Sequence, residues 1–185
     1  MINTQEFAKL RTEFEQKEAK REKAIALARK ALKNSKAAIY SLHRSDYGAA
    51  KKALESAKKD LKNAEKLSET NAGYLSDAAQ EYTESFCYYI YLKDKKLATA
   101  KQTAVKNEDY LAGICDLIGE LVRKAVNSGI KGDYKTATEI KEFAADVYAE
   151  LMLFDFANGM LRKKFDSVKY ALEKLEDIIL RIKMK

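Results

Sequence analysis

No proline occurs in the 185 residues, and glycine occurs only 7 times. Proline fixes turns and ends helices, and glycine supplies the backbone freedom that tight turns need. A sandwich or barrel needs many such turns, so an all-β architecture is excluded. What remains is rich in Ala, Lys, Glu and Leu, which cost little in a helix. The chain is therefore read as all-α, a bundle of six to seven long helices. Apolar residues are 46% of the total, enough for one packed core in a single domain over residues 1–185.

Apolar spacing places the helices. Phe7, Leu10, Phe14, Ile25, Ala28, Leu32, Ile39 and Leu42 predict a first helix over about 4–44. At 1.5 Å per residue it is about 60 Å long and needs partners along its whole length. Ser45-Asp46 restarts the chain, and Ala50, Leu54, Ala57, Leu61 and Ala64 stripe a second helix over 46–67. Ser68 to Gly73 reads as a polar turn, followed by a third helix from about Ser76 into the nineties. A short turn falls within 95–105. Asn107 reads as the start of the next helix, which ends near Asn127-Ser128-Gly129, with residues 129–132 as a loop. Asp133 caps a helix to about 156, and the last helix covers 160–183 with heptad residues Phe165, Val168, Leu172, Leu175, Ile179 and Ile182.

Several chemistries are excluded. His43 is the one histidine, so the Glu-x-x-His pairs of di-iron bundles cannot be assembled. Cys87 and Cys115 are not spaced as Cys-x-x-Cys and sit among apolar residues, as small buried hydrophobes do. Reduced thiols and the absence of a signal-like or membrane-spanning apolar run suggest a cytoplasmic protein with no membrane partner.

Four carboxylates carry the candidate chemistry. Glu81 and Glu84, at i and i+3, share a face of the third helix, which Asp77 and Tyr88 continue; Asp116 and Glu120, at i and i+4, share a face of a later one. By spacing alone such pairs are ordinary solvated helix faces. The setting of the second pair is more telling: Asp116 and Glu120 are the only charges from Tyr110 to Val122, and apolar surroundings raise the cost of a carboxylate. Gly113 and Gly119 flank them and permit close approach to the backbone. If the two helices pack face to face, the acids converge. An all-oxygen site with no His or thiol suits a hard cation, Mg²⁺ or Mn²⁺.

A basic stripe is the second feature. The net charge is +7. Between Lys23 and Arg44 there is no acid, and Arg29, Lys33, Lys36, Tyr40, His43 and Arg44 fall within about a third of the helix circumference. Positive charge with an interleaved aromatic suits a phosphate backbone and stacked bases, although a solvated lysine face has the same pattern. The long first helix and the heptad seam are more apolar than a monomer needs, which points to self-association.

These stretches resemble the translin and Trax family. Asn34 to Arg44 (NSKAAIYSLHR) is similar to the first helix of Trax, and Gln80-Glu81-Tyr82-Thr83-Glu84 to its Q-E-Y-x-E signature. Tyr110 to Arg123 (YLAGICDLIGELVR) resembles the Y-L-x-G-x-x-D-L-x-G-E-L-x-R segment of both branches, with Gly132-Asp133-Tyr134 at the family's loop position. Leu161 to Tyr170 (LRKKFDSVKY) is similar to the translin C-terminal helix. The resemblance implies a seven-helix bundle in a hollow homo-oligomer, an octamer, that takes single-stranded RNA or DNA inside. It implies a compact prokaryotic or archaeal Trax-like endoribonuclease, with Glu81, Glu84, Asp116 and Glu120 as catalytic groups and metal ligands. The alternative is a translin-like shell that binds single strands without cutting them.

Overall fold

A computed structural model describes residues 2–68 and 73–184. Among the described residues there are seven helices and no strand: α1 Thr4–His43, α2 Tyr47–Leu67, α3 Gly73–Asp94, α4 Ala100–Thr103, α5 Asn107–Ile130, α6 Tyr134–Leu151 and α7 Met160–Lys183. The turn expected over 68–73 falls largely outside the described residues. None of these helices is long and apolar enough to cross a membrane.

α1 and α2 form an antiparallel hairpin. Ser45 takes the left-handed conformation (φ 61°), and the Asp46 side chain accepts from Ala49 N to cap α2. Asn34 donates to Asp60 across the pair at 3.3 Å. The buried seam of α1 is Ala24, Ala28, Ala31, Ser35, Ala38 and Leu42, which faces the Ala50-Leu54-Ala57-Leu61-Ala64 stripe of α2. Small side chains on both helices let the backbones approach closely. Ile25 and Leu32, expected at the centre of the seam, are only partly buried at its edge. α1 outruns its partners. Phe7, Leu10 and Phe14 are 56%, 52% and 65% exposed, and burial begins at Ala24, leaving about 30 Å of rod beyond the bundle.

α3 lies against α1, α2 and α5, and α5 in turn packs on α6 and α7. α5 starts at Asn107 as expected, with no side-chain cap from Lys106 before it. Two boundaries differ from expectation. α5 continues through Gly129, whose small surface lies against Ile178 and Ile182 of α7; the turn is left to Gly132, at φ +79°. α6 ends at Leu151 rather than near 156, and Met152 to Phe154 form a turn beyond it. On α7, Phe165, Val168 and Leu175 are buried in the chain's own core while Leu172, Ile178, Ile179 and Ile182 are half-buried. α5 and α6 thus cover the Phe165, Val168 and Leu175 side of the heptad seam. Cys87 and Cys115 are buried free thiols, and burial pushes both up to about 12.

Candidate carboxylate site and nucleic-acid interface

The crossing of α3 and α5 makes the site. A Cβ on Gly113 would lie 2.6 Å from Thr83 Cβ and 2.7 Å from the Gln80 carbonyl oxygen, so only glycine lets the helices meet there. Glu84 follows Thr83, and Asp116 lies one turn beyond Gly113 on the same side. Glu81, Glu84 and Asp116 open into one cleft of about 550 Å³, with Gly119 and Val122 beside them and Ser167, Tyr170 and Lys174 of α7 opposite. A Cβ on Gly119 would meet nothing within 4 Å. Gly119 therefore keeps the cleft open, whereas Gly113 is a packing residue.

Donor side chains from two other helices reach the acids. Lys164 of α7 donates to Asp116. Lys36 of α1 stands 3.9 Å from Glu81. His43, two turns further along α1, donates through Nε2 to Glu120, and Arg123 lies 3.7 Å from the same carboxylate. His43 Nδ1 is left to accept from the buried Tyr88 hydroxyl at 3.4 Å. Glu120 shares the cluster's field but does not line the cleft.

Glu84 is the buried member of the four. Burial, then the neighbouring charges of Glu81, Asp116 and Glu120, push its acid up to about 8, against a smaller pull from Lys164. Glu81 is raised too, chiefly by desolvation, with Lys36 opposing. The expected convergence of acids from α3 and α5 is present as an electrostatic cluster. Among the described residues, however, no three His, Cys, Asp or Glu side chains are gathered closely enough to hold one metal ion together.

The basic stripe divides. Arg29, Lys33, Lys36, Tyr40 and Arg44 are exposed along α1, forming a rail that passes the carboxylates at Lys36. His43 leaves the rail and turns inward to Glu120. Asp77 is exposed and does not line the cleft. Sequence reasoning missed Lys164 and the α7 wall. The cleft-facing positions 167, 170, 171 and 174 recur at steps of three and four beside the apolar seam, which is the signal that marks them as one face.

An acidic cleft at the crossing of two helices, served by cationic side chains from α1 and α7, defines an all-helical protein built around a polar site. The family model described as "Translin family" matches residues 19–185, and the chain belongs to that family. It is 39% identical to translin of Gallus gallus over 72 residues, 39% of this chain and 31% of that one. The match therefore spans about a third of the length of that curated relative. The fold is similar to apo-NeC3PO, with a TM-score of 0.87, 28% identity and 97% of both chains covered. It is also similar to AfC3PO solved as a complex with duplex RNA, with a TM-score of 0.83, 25% identity and 97% of both chains covered.

Proposed function

We propose that the protein is a metal-dependent endoribonuclease that cuts single-stranded RNA inside a hollow homo-oligomer, an octamer in its simplest form. Glu81, Glu84, Asp116 and Glu120 are its proposed ligands for Mg²⁺ or Mn²⁺. One observation carries the reading: three carboxylates open into one cleft beside a rail of exposed cations. A surface that only binds phosphates gains nothing from acids there.

The donor set fits a hard cation. It is all oxygen, and Glu84, whose pKa is raised first by burial and then by the charges of Glu81, Asp116 and Glu120, is a carboxyl whose ionised form a cation would stabilise. Mg²⁺ keeps several waters and takes one or two carboxylates directly, which suits acids that face one cleft without closing into a cage. When bound, the ion would activate a water and steady charge on the phosphate. The chain's own residues do the rest. Lys164 Nζ fixes the Asp116 carboxylate, His43 Nε2 fixes Glu120, and Lys33, Lys36 and Arg44 draw the phosphate backbone past the cleft. Tyr40, exposed between Lys36 and Arg44, offers its ring to a base.

The RNA carried by the AfC3PO complex supports RNA as the ligand class. A second reading, a translin-like shell that binds single-stranded RNA or DNA without cutting, is favoured by one observation. Lys164 and Lys36 already stand beside Asp116 and Glu81, so two lysines of the chain itself partly neutralise the cluster. End-labelled single-stranded and duplex RNA, incubated with Mg²⁺, with Mn²⁺ and with EDTA, separates the two. The proposed enzyme yields products from the single strand that EDTA abolishes; the shell yields a stable complex and intact RNA in every lane.

A further inference from the structure

Two basic walls flank the carboxylates, and only one was legible in the sequence. The α7 wall presents Ser167, Tyr170 and Lys174 to the cleft, across from Glu81, Glu84 and Asp116. Tyr170 is 63% exposed. Among the described residues its hydroxyl makes no hydrogen bond and its ring meets no other ring. Folding gains little from a large aromatic held in that position, whereas a flat ligand laid on it would bury one face of the ring.

Lys174 is the second sign. The acids of the cluster have partners drawn from elsewhere: Lys36 beside Glu81, Lys164 on Asp116 and the His43 Nε2–H on Glu120. Lys174 faces the same cleft and has no carboxylate within ion-pair distance among the described residues. The cleft thus holds acids on one side and an uncommitted ammonium and an open aromatic on the other. From Lys164 to Lys174 the wall runs about 15 Å along α7 at 1.5 Å per residue. A cleft of about 550 Å³ lies in the range that encloses a small ligand, the scale of one nucleotide unit rather than of a double helix. An aromatic face, a hydroxyl and a cation beside a carboxylate cluster match the parts of a nucleotide: base, sugar and phosphate.

We infer that the cleft-facing side of α7 is a subsite for one nucleotide of an RNA single strand, its base stacked on Tyr170 and its phosphate paired with Lys174. The inference rests on the single-stranded RNA reading above and adds to it the contacts that hold one nucleotide. Ser167 stands one turn before Tyr170 on the same wall; its hydroxyl donates to the Lys164 carbonyl at 2.6 Å, which leaves its oxygen to accept from the sugar. The strand then lies between α1 and α7, with the carboxylates beneath its backbone.

The test is equilibrium binding of a fluorescein-labelled ten-nucleotide single strand in EDTA, where no metal-dependent cleavage occurs. Tyr170→Leu is expected to weaken binding by about 5- to 100-fold, the size of one lost base stack, while Tyr170→Phe binds as the parent does. Lys174→Met is expected to reduce the slope of log K against log salt by about 0.7, the share of one phosphate in a single strand. A ten-mer with one abasic residue, moved along the strand, should at one position bind the parent and Tyr170→Leu equally. The inference is overturned if Tyr170→Leu binds like the parent, if it loses as much on every abasic strand as on the intact one, or if its loss accompanies a changed particle mass in sedimentation. Cleavage by the same variants is scored separately. Stacking-dependent binding without cleavage upholds the subsite and removes the nuclease; cleavage with unchanged binding in Tyr170→Leu does the reverse.

Discussion

His43 and Glu120 are 77 positions apart in the chain, yet the imidazole Nε2 of one donates to the carboxylate of the other. The contact joins α1, which carries the basic rail, to α5, which carries half of the acids. Tyr88 of α3 completes the chain of contacts from the other side of the ring. One histidine therefore ties the three helices that build the site. A group that orients a ligand from behind typically matters by about 10- to 100-fold in affinity or rate. His43→Ala should lower single-turnover cleavage by that amount. His43→Gln, which keeps an N–H donor, should recover part of it. Equal rates for His43→Ala and the parent would leave the contact a packing detail.

Glu84→Gln and Asp116→Asn each keep the side-chain shape and remove a carboxylate that could ligate the cation. Both should abolish cleavage, by at least about 100-fold. In EDTA, Glu84→Gln should bind RNA as the parent does, because burial already keeps the Glu84 acid largely protonated below pH 8, whereas Asp116→Asn should bind as tightly or slightly tighter. Measured rates at the parent level for both would remove these residues from the site.

Glu84 also predicts a pH signature. Its folded-state acid is raised to about 8 from an ordinary 4.5, so between those values the folded chain holds a proton that the unfolded chain has released. Stability therefore falls as pH rises through this window and is lowest above it. Glu84→Gln should raise the melting temperature at pH 9 by a few degrees, corresponding to about 1–3 kcal/mol, and the gain should vanish near pH 5. Thermal melts of both proteins without metal give the answer; a difference independent of pH would contradict the burial argument.

The exposed rail on α1 gives an electrostatic prediction. Lys33→Glu with Lys36→Glu should weaken single-strand binding by more than about 10-fold and flatten its salt dependence. An unchanged salt slope would return that face to plain solvation.

The first twenty residues of α1 give an assembly prediction. Phe7, Leu10 and Phe14 are apolar, exposed and outside the bundle, as a helix contacting another subunit would be. Phe7→Glu with Phe14→Glu should lower the sedimenting mass of the particle while helical content stays the same. A parent that sediments as a 21.0 kDa monomer at micromolar concentration would contradict the oligomer.

The helices were legible because the chain lacks proline and its apolar steps of three and four are long and uninterrupted. Their ends were less so. Gly129 reads as a stop, but α7 packs against it and the helix continues. Of the α1 stripe, Ala28, Ile39 and Leu42 are buried in the seam while Ile25 and Leu32 stand at its edge, and Ala24, Ala31 and Ala38 fill the rest; small residues carry little hydrophobic signal yet set how closely two helices meet. Of the site, the four acids stood out by spacing and by the apolar frame around Asp116. Lys164 did not, because its pairing with Asp116 depends on where α7 lands, 48 positions later. By its spacing His43 belongs to the basic rail, and only the tertiary fold turns it inward to Glu120.

The most direct measurement is single-turnover cleavage of one 5′-labelled single-stranded RNA by the parent and by Asp116→Asn, each in Mg²⁺ and in EDTA. The account predicts products in one arm only, the parent with Mg²⁺. RNA that stays intact in that arm while fully bound, or products that persist in EDTA or with Asp116→Asn, would contradict it.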